Sequence, residues 1–217
     1  SSLQIANILY TGGEMKSKLM LTFIFSFLII GLLTTTTYCE IRQVDSDFNG
    51  KMDQWHEMSA DGKIIKIEYD TNGDGKLDQV DIYDGNNKPT MVKLDRNFDG
   101  VLDQFQFYTK SFTLERVEKD SKFNGMINRR EFYDTNEKLT RIEVDDNLDG
   151  KMDIFQFFNN ESKLIRVEYD IKHNGKINRW EYFDGEKILQ SAAFDSNGDG
   201  KQDQWQYFSK STKPEKI

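Results

Sequence analysis

Asp70-Thr71-Asn72-Gly73-Asp74-Gly75-Lys76-Leu77-Asp78 returns almost unchanged as Asp195-Ser196-Asn197-Gly198-Asp199-Gly200-Lys201-Gln202-Asp203. Counted from its first aspartate, the stretch sets oxygen-bearing side chains at positions 1, 3, 5 and 9, with glycine at position 6. Alternate oxygen donors on a tightly turning loop suit a hard cation, which gathers several such ligands in a flexible cage. Glycine fits the sharp turn because it reaches positive φ without a Cβ clash. The frame recurs along the chain. Its first aspartate stands at Asp45, Asp70, Asp95, Asp120, Asp145, Asp170 and Asp195, and its glycine at Gly50, Gly75, Gly100, Gly125, Gly150, Gly175 and Gly200, always 25 residues apart. Self-similarity at a fixed period marks a repeat architecture, here of seven units.

Working outward from the loop, positions 11 and 13 hold Trp55, Phe105, Phe107, Phe155, Phe157, Trp180, Tyr182, Trp205 and Tyr207. Between them position 12 is polar throughout: His56, Asp81, Gln106, Glu131, Gln156, Glu181, Gln206. Alternation with aromatic enrichment predicts a half-buried strand. A turn cluster follows, such as Asp184-Gly185-Glu186-Lys187. A second alternating run comes next, as in Ile65-Lys66-Ile67-Glu68-Tyr69, with Lys or Arg and then Glu at what reads as the outward positions. Both connections are short enough for antiparallel neighbours. The expected fold is all-β: a tandem-repeat antiparallel meander over residues 45–217, two strands per unit and about fourteen in all, curved or superhelical because sheets twist. The aromatic rows are expected to form its core.

The loops divide into two kinds. Three carboxylates and one amide fill positions 1, 3, 5 and 9 in five of them: Asp45, Asp47, Asn49, Asp53; Asp70, Asn72, Asp74, Asp78; Asp95, Asn97, Asp99, Asp103; Asp145, Asn147, Asp149, Asp153; and Asp195, Asn197, Asp199, Asp203. The carbonyls of Lys51, Lys76, Val101, Lys151 and Lys201, at position 7, would add a further oxygen. Calcium (Ca2+) is the expected cofactor. The fourth loop (Asp120, Lys122, Asn124, Asn128) and the sixth (Asp170, Lys172, Asn174, Asn178) lose carboxylates and gain a lysine together. There the Lys122 and Lys172 ammonium groups are expected to replace the metal.

The loops resemble those of EF-hands, dockerins and thrombospondin type-3 repeats, carried on strands instead of helices. Position 12 lacks the bidentate Glu of an EF-hand, so the last ligand falls to water, to Asp81 in the second unit, or to a carboxylate such as Glu68. The hairpins, with Tyr-Phe-Asp-Gly and Leu-x-Arg-Val patterns, look like repeats of many bacterial exported proteins and are similar in spacing to MORN-type arrays. The resemblance covers residues 45–217 and implies a structural or binding role. Asp, Asn and Gly are also ordinary turn formers, so metal-free turns are the competing reading.

Ahead of the repeats, Lys16 and Lys18 precede an apolar run over 19–33, then threonines, Tyr38 and Cys39. Residues 15–39 read as a signal peptide with a hydrophobic helix, 1–14 as upstream extension and 40–44 as a short linker. Cys39, the single cysteine, sits where a bacterial lipoprotein is acylated, although Thr36 and Tyr38 depart from the usual lipobox; cleavage near 37–40 without lipidation is the alternative. Lipidation would hold the exported protein at the cell envelope, on the outer or cytoplasmic membrane, whereas plain cleavage would leave it secreted or periplasmic.

A formal charge of −8 argues against nucleic-acid partners. One cysteine excludes a disulfide framework and a cysteine-rich zinc site, and two scattered histidines read as too few for a zinc or catalytic constellation. His56 and His173 read as surface residues. With no nucleophile–base pair in view, the expectation is a non-enzymatic, calcium-binding, lipid-anchored envelope protein with a structural, adhesive or interaction role, whose protein or glycan partner is not encoded in these motifs. The alternative is a carbohydrate- or cell-wall-binding array using exposed Trp55, Trp180 and Trp205.

Overall fold

The structure, a computed structural model, describes residues 40–208. The upstream extension, the signal segment with Cys39, and residues 209–217 lie outside the described residues. Within them the chain is all-β, with fourteen strands: β1 (Glu40–Val44), β2 (Gln54–Met58), β3 (Ile64–Tyr69), β4 (Gln79–Tyr83), β5 (Pro89–Leu94), β6 (Gln104–Tyr108), β7 (Leu114–Lys119), β8 (Arg129–Tyr133), β9 (Leu139–Val144), β10 (Ile154–Phe158), β11 (Leu164–Tyr169), β12 (Arg179–Phe183), β13 (Leu189–Phe194) and β14 (Gln204–Tyr207). They form one open sheet in which every strand pairs with its sequence neighbours. The strand count agrees with the repeat pattern, but the division differs. Residues 40–44, read as a linker, form β1, because Val44 precedes Asp45 just as Tyr69 precedes Asp70 and takes the same ladder place opposite Gln54. The seventh unit contributes one strand, β14, within the described residues.

Register decides what each face carries. Position 12 lies opposite position 23, as in Gln106 opposite Val117 and Glu131 opposite Ile142. Positions 11 and 13 lie opposite 24 and 22, as in Phe105 with Glu118 and Phe107 with Arg116. The aromatics therefore share a face with the Arg and Glu side chains, which the sequence pattern had placed outward and away from them. Alternation within a strand fixes its two faces, but relative parity across a hairpin depends on turn and bulge. Each of the six hairpins carries a register shift at the same place, for example between Phe107 and Tyr108.

The aromatic face is thus a ladder, not a dry core. Arg116 lies over Phe107 at 4.3 Å, Arg141 over Phe132 at 4.2 Å and Arg166 over Phe157 at 4.2 Å. The same guanidiniums meet Glu118, Glu143 and Glu168 at 3.0–3.1 Å. The guanidinium groups themselves cover the rings, with the Nε atoms of Arg116, Arg141 and Arg166 buried. Each stack contributes about 0.5–1 kcal/mol and each half-exposed ion pair less than about 1 kcal/mol.

The opposite face buries Ile67, Val117, Ile142, Val167 and Ala192 at position 23, alternating with the polar row at position 12. Asp81, Glu131 and Glu181 of that row are buried, and buried polar groups need partners. Asp81 accepts from Tyr69 Oη (3.2 Å), Tyr83 Oη (3.3 Å) and Gln79 (2.7 Å). Glu131 accepts from Lys119 (3.0 Å), Arg129 (2.7 Å) and Tyr133 Oη (2.9 Å). Burial and this carboxylate push the Tyr133 phenol up to about 12. For Glu131 itself burial acts upward, but the bonds from Arg129, Lys119 and Tyr133 outweigh it and hold the carboxyl below its ordinary range. A lowered folded-state pKa stabilises the fold above the ordinary glutamate range and loses that stabilisation as pH falls through the folded value. Glu131→Gln is expected to cost about 1–2 kcal/mol at neutral pH, a figure kept small because Lys119 and Arg129 are partly solvated. Thermal melts of wild type and variant should converge as pH drops below 4; a gap independent of pH would refute the charge-based account.

Candidate cation-binding loops

The connections alternate between the two ends of the sheet. Six hairpin turns lie at one end and the seven nine-residue loops (45–53, 70–78, 95–103, 120–128, 145–153, 170–178, 195–203) at the other. The loops are stitched to the strands and to one another. The position-9 amide donates to the last carbonyl of the strand before its loop, as Asp103 N to Leu94 O at 2.8 Å. The position-1 amide donates to the position-9 carbonyl of the preceding loop, as Asp120 N to Asp103 O at 2.8 Å and Asp170 N to Asp153 O at 2.7 Å. The sheet ladder thus runs on into the loops and aligns them as a column.

Inside each loop the side-chain oxygens fold the backbone around themselves. The position-1 aspartate accepts the position-6 glycine N–H in all seven, at 2.5–2.9 Å. Position 5 accepts the N–H of position 7: Lys51, Lys76, Val101, Lys151 and Lys201 onto Asn49, Asp74, Asp99, Asp149 and Asp199, and likewise Met126 and Lys176 onto Asn124 and Asn174. Position 9 accepts the N–H of position 2 in every loop, through Asp53, Asp78, Asp103, Asp153 and Asp203 and equally through Asn128 and Asn178. This scaffold needs an acceptor oxygen, not a charge, at positions 5 and 9. The fourth and sixth loops keep it with amides. Positions 1 and 9 are both buried in most loops, and position 1 is aspartate throughout.

A second left-handed residue, unread from the sequence, completes the turn. Position 4 has positive φ at Phe48, Phe98, Phe123, Leu148 and His173 and is glycine at Gly73 and Gly198. Those two glycines were the available signal.

In the first loop Asp45, Asp47 and Asp53 bring carboxylate oxygens within 4.8 Å of one another, a set able to hold a metal ion. Asp53 Oδ2 accepts from Ser46 N and Oγ, while its Oδ1 is buried with no hydrogen-bond partner. Asp95 Oδ1 in the third loop is buried and unpartnered in the same way. In the first loop Asn49 Nδ2 donates to Asp47 at 2.8 Å, and amide or cationic groups engage the carboxylates of the other loops as well. Asn72 Nδ2 donates to Asp78 at 3.2 Å, and Asn97, Asn147 and Asn197 Nδ2 donate to Asp99, Asp149 and Asp199. Arg96 ion-pairs with Asp103, and Lys76 Nζ reaches across to Asp99 O at 2.7 Å.

Two expectations about neighbouring groups fail. Glu68 pairs with Lys66 at 3.1 Å on the aromatic face and Asp81 is held by two tyrosines, so neither turns toward the second loop. Neither Lys122 nor Lys172 comes within 4 Å of a carboxylate among the described residues. The Lys172 charge acts on the next loop. Burial pushes the Asp195 carboxyl up, the N–H groups of Gly200, Gly198 and Asp199 pull it below its usual range, and Lys172 adds to that pull. His173 is a surface residue, as expected, with its side chain 37% exposed, and its Nδ1 lies 3.0 Å from Asp153 and 3.8 Å from Asp146.

No protein-family model matches the chain. No curated protein matches it either. Among solved structures, it is similar to a chain in the crystal structure of accessory secretory protein 1,2 and 3 in Streptococcus pneumoniae (19% identity, TM-score 0.30, 51% of this chain and 19% of that one). It is also similar to a chain of the GtfA/B complex bound to UDP and GlcNAc (10% identity, TM-score 0.28, 52% and 21%). The chain thus spans about a fifth of the length of each, and at these TM-scores neither likeness bears on function.

Proposed function

We propose that this chain is a calcium-binding repeat protein, exported to the cell envelope and lipid-anchored at Cys39, with a structural, adhesive or interaction role. The observation that carries the calcium reading is the contrast among loops that share one scaffold. Amides suffice to fold it in the fourth and sixth loops, yet five loops keep three carboxylates on the same frame, brought within 4.8 Å of one another in the first, which costs repulsion unless a cation offsets it. Unpartnered Asp53 Oδ1 and Asp95 Oδ1 support the reading. Water supplies the last ligands, so affinity falls at about 10⁻⁴–10⁻³ M, the range of extracellular calcium modules. The glycan-stacking alternative has less support: Trp180 is buried, and the Phe107, Phe132 and Phe157 rings carry guanidiniums.

Calorimetric titration of the purified full chain with calcium tests the proposal. The expected result is about five weak sites per chain. Absence of binding heat, together with unchanged protein NMR shifts up to ten millimolar calcium, would leave the loops as turns alone.

A further inference from the structure

We propose that Asp146, Asp153 and His173 form a metal site of a second kind, between the fifth and sixth loops, for a divalent transition ion of the zinc class. Asp146 and Asp153 come from positions 2 and 9 of the fifth loop, and His173 from position 4 of the sixth. Their ligand atoms lie within 4.8 Å of one another. Zinc bonds of about 2.0–2.2 Å to nitrogen and oxygen place neighbouring ligands about 3.3 Å apart around a tetrahedral ion, so rotamer adjustments suffice. Imidazole with carboxylate suits zinc and its neighbours, whereas calcium takes oxygen.

Two departures from the repeat coincide here. Position 2 is Ser46, Thr71, Arg96, Ser121, Ile171 or Ser196 in the other loops, and Asp146 is its one acid. Position 4 is Phe, Leu or Gly elsewhere, and His173 is its one histidine. Both fall on facing sides of the same loop pair. Neither serves the turn scaffold, which uses the Asp146 N–H and not its carboxylate.

The charge arrangement is unfinished without a cation. Asp153 is 2% exposed and lies with a second carboxylate, Asp146, in one cluster. Among the described residues the imidazole is the basic group that touches the pair. A neutral imidazole leaves two negative charges together. A divalent ion balances them and takes the nitrogen lone pair. A cavity of about 100 Å³, walled by Ile154, Tyr169, Asp170 and Ile171, opens on the three side chains and has room for water as a fourth ligand. The backbone holds the imidazole there: His173 N donates to Asp170 O at 3.1 Å and its φ is 50°. Sharing Asp153, the zinc-class ion displaces calcium from the fifth loop, and the site stands whether or not the other loops bind calcium.

The test is a Zn2+ titration of the tag-free, chelator-stripped full chain, by calorimetry, in buffer alone and in 5 mM calcium. One zinc per chain is expected in both, with Co2+ giving the visible absorption of a low-coordinate nitrogen–oxygen site. His173→Gln and Asp146→Asn should each weaken zinc at least tenfold, whereas His56→Gln should leave it unchanged. Calcium heats of the other loops should persist in all three variants if those loops bind calcium at all. No zinc binding by the wild type, equal affinity in His173→Gln, or loss in His56→Gln would each overturn the proposal. Circular dichroism melts of the variants establish that they remain folded.

Discussion

Asp120→Ala is expected to destabilise the sheet by about 3 kcal/mol in EDTA and by the same amount in 10 mM calcium. Asp145→Ala should cost a similar amount in EDTA and about 1.4–2.7 kcal/mol more in calcium. The common part comes from the scaffold. Asp120 is 4% exposed and accepts from Gly125 N at 2.6 Å and Lys122 N at 3.1 Å. Asp145 accepts from Gly150, Leu148 and Asp149 N–H groups at 2.7–3.2 Å. Hydrogen bonds to a charged acceptor contribute about 1.5–3 kcal/mol each, and the orphaned donors sit where water enters only partly. The difference comes from linkage. A site with a dissociation constant of about 10⁻⁴–10⁻³ M, at ten millimolar ligand, adds about 1.4–2.7 kcal/mol to the folded state. The fourth loop lacks the carboxylates, so its variant has nothing to lose to EDTA. Asp120→Asn should recover roughly half the loss, since one amide oxygen can serve one of the two donors. The readout is thermal melting of four proteins in two buffers. Equal calcium response of the two alanine variants would remove calcium from the fifth loop and with it the main support for the functional reading.

That contrast also shows where the sequence speaks and where it falls silent. Position 1 and position 6 were legible because they solve local problems, an acceptor for several N–H groups and a left-handed turn, that only a few residue types solve. Position 4 solves the same left-handed problem with Phe48, Phe98 and Leu148, and no local rule marks a bulky residue for that conformation. The loop column supplies the reason it is tolerated: backbone bonds on either side hold the turn in place. Strand existence was legible from period-2 alternation; face parity was not, because Gln106 could stand opposite Val117 or Arg116 depending on one bulged residue. β1 was missed since Glu40 to Val44 lacks the aromatic partner of a full unit and is exposed along most of its length. His173 reads as a surface residue in isolation. Its significance lies in a loop one repeat away, and only the stacking of loops brings Asp153 to it.

Ala193→Glu, which restores the residue type of β3, β7, β9 and β11 at that position, is expected to destabilise the protein by about 3 kcal/mol, and adding Ser191→Arg should return about 1–2 kcal/mol of it. Position 24 carries Glu68, Glu118, Glu143 and Glu168, each ion-paired to the Lys or Arg two residues earlier. In β13 the pattern breaks to Ser191-Ala192-Ala193, and Ala193 is fully buried between its ladder partners Trp180 and Trp205. Two indoles flanking one position leave room for a methyl group, which explains why the ladder gives up its charge there. A carboxylate at 193 would overpack that space and find no cation, and an unpaired buried charge is among the costlier single changes. Arginine at 191 lies opposite Tyr182 and Tyr207 and can stack as Arg166 does on Phe157, presenting its guanidinium to the new carboxylate. The recovery is partial because the steric cost remains, eased where Trp205, on β14, is 44% exposed and free to turn outward. Urea unfolding of the wild type, both single variants and the double variant forms a complete cycle. A favourable coupling energy near 1–2 kcal/mol would establish the Arg–Glu–aromatic ladder as a coupled unit. Strict additivity would mean that the rows merely coexist on one face, and the stability of a single-layer sheet would then rest on the Val and Ile row of the other.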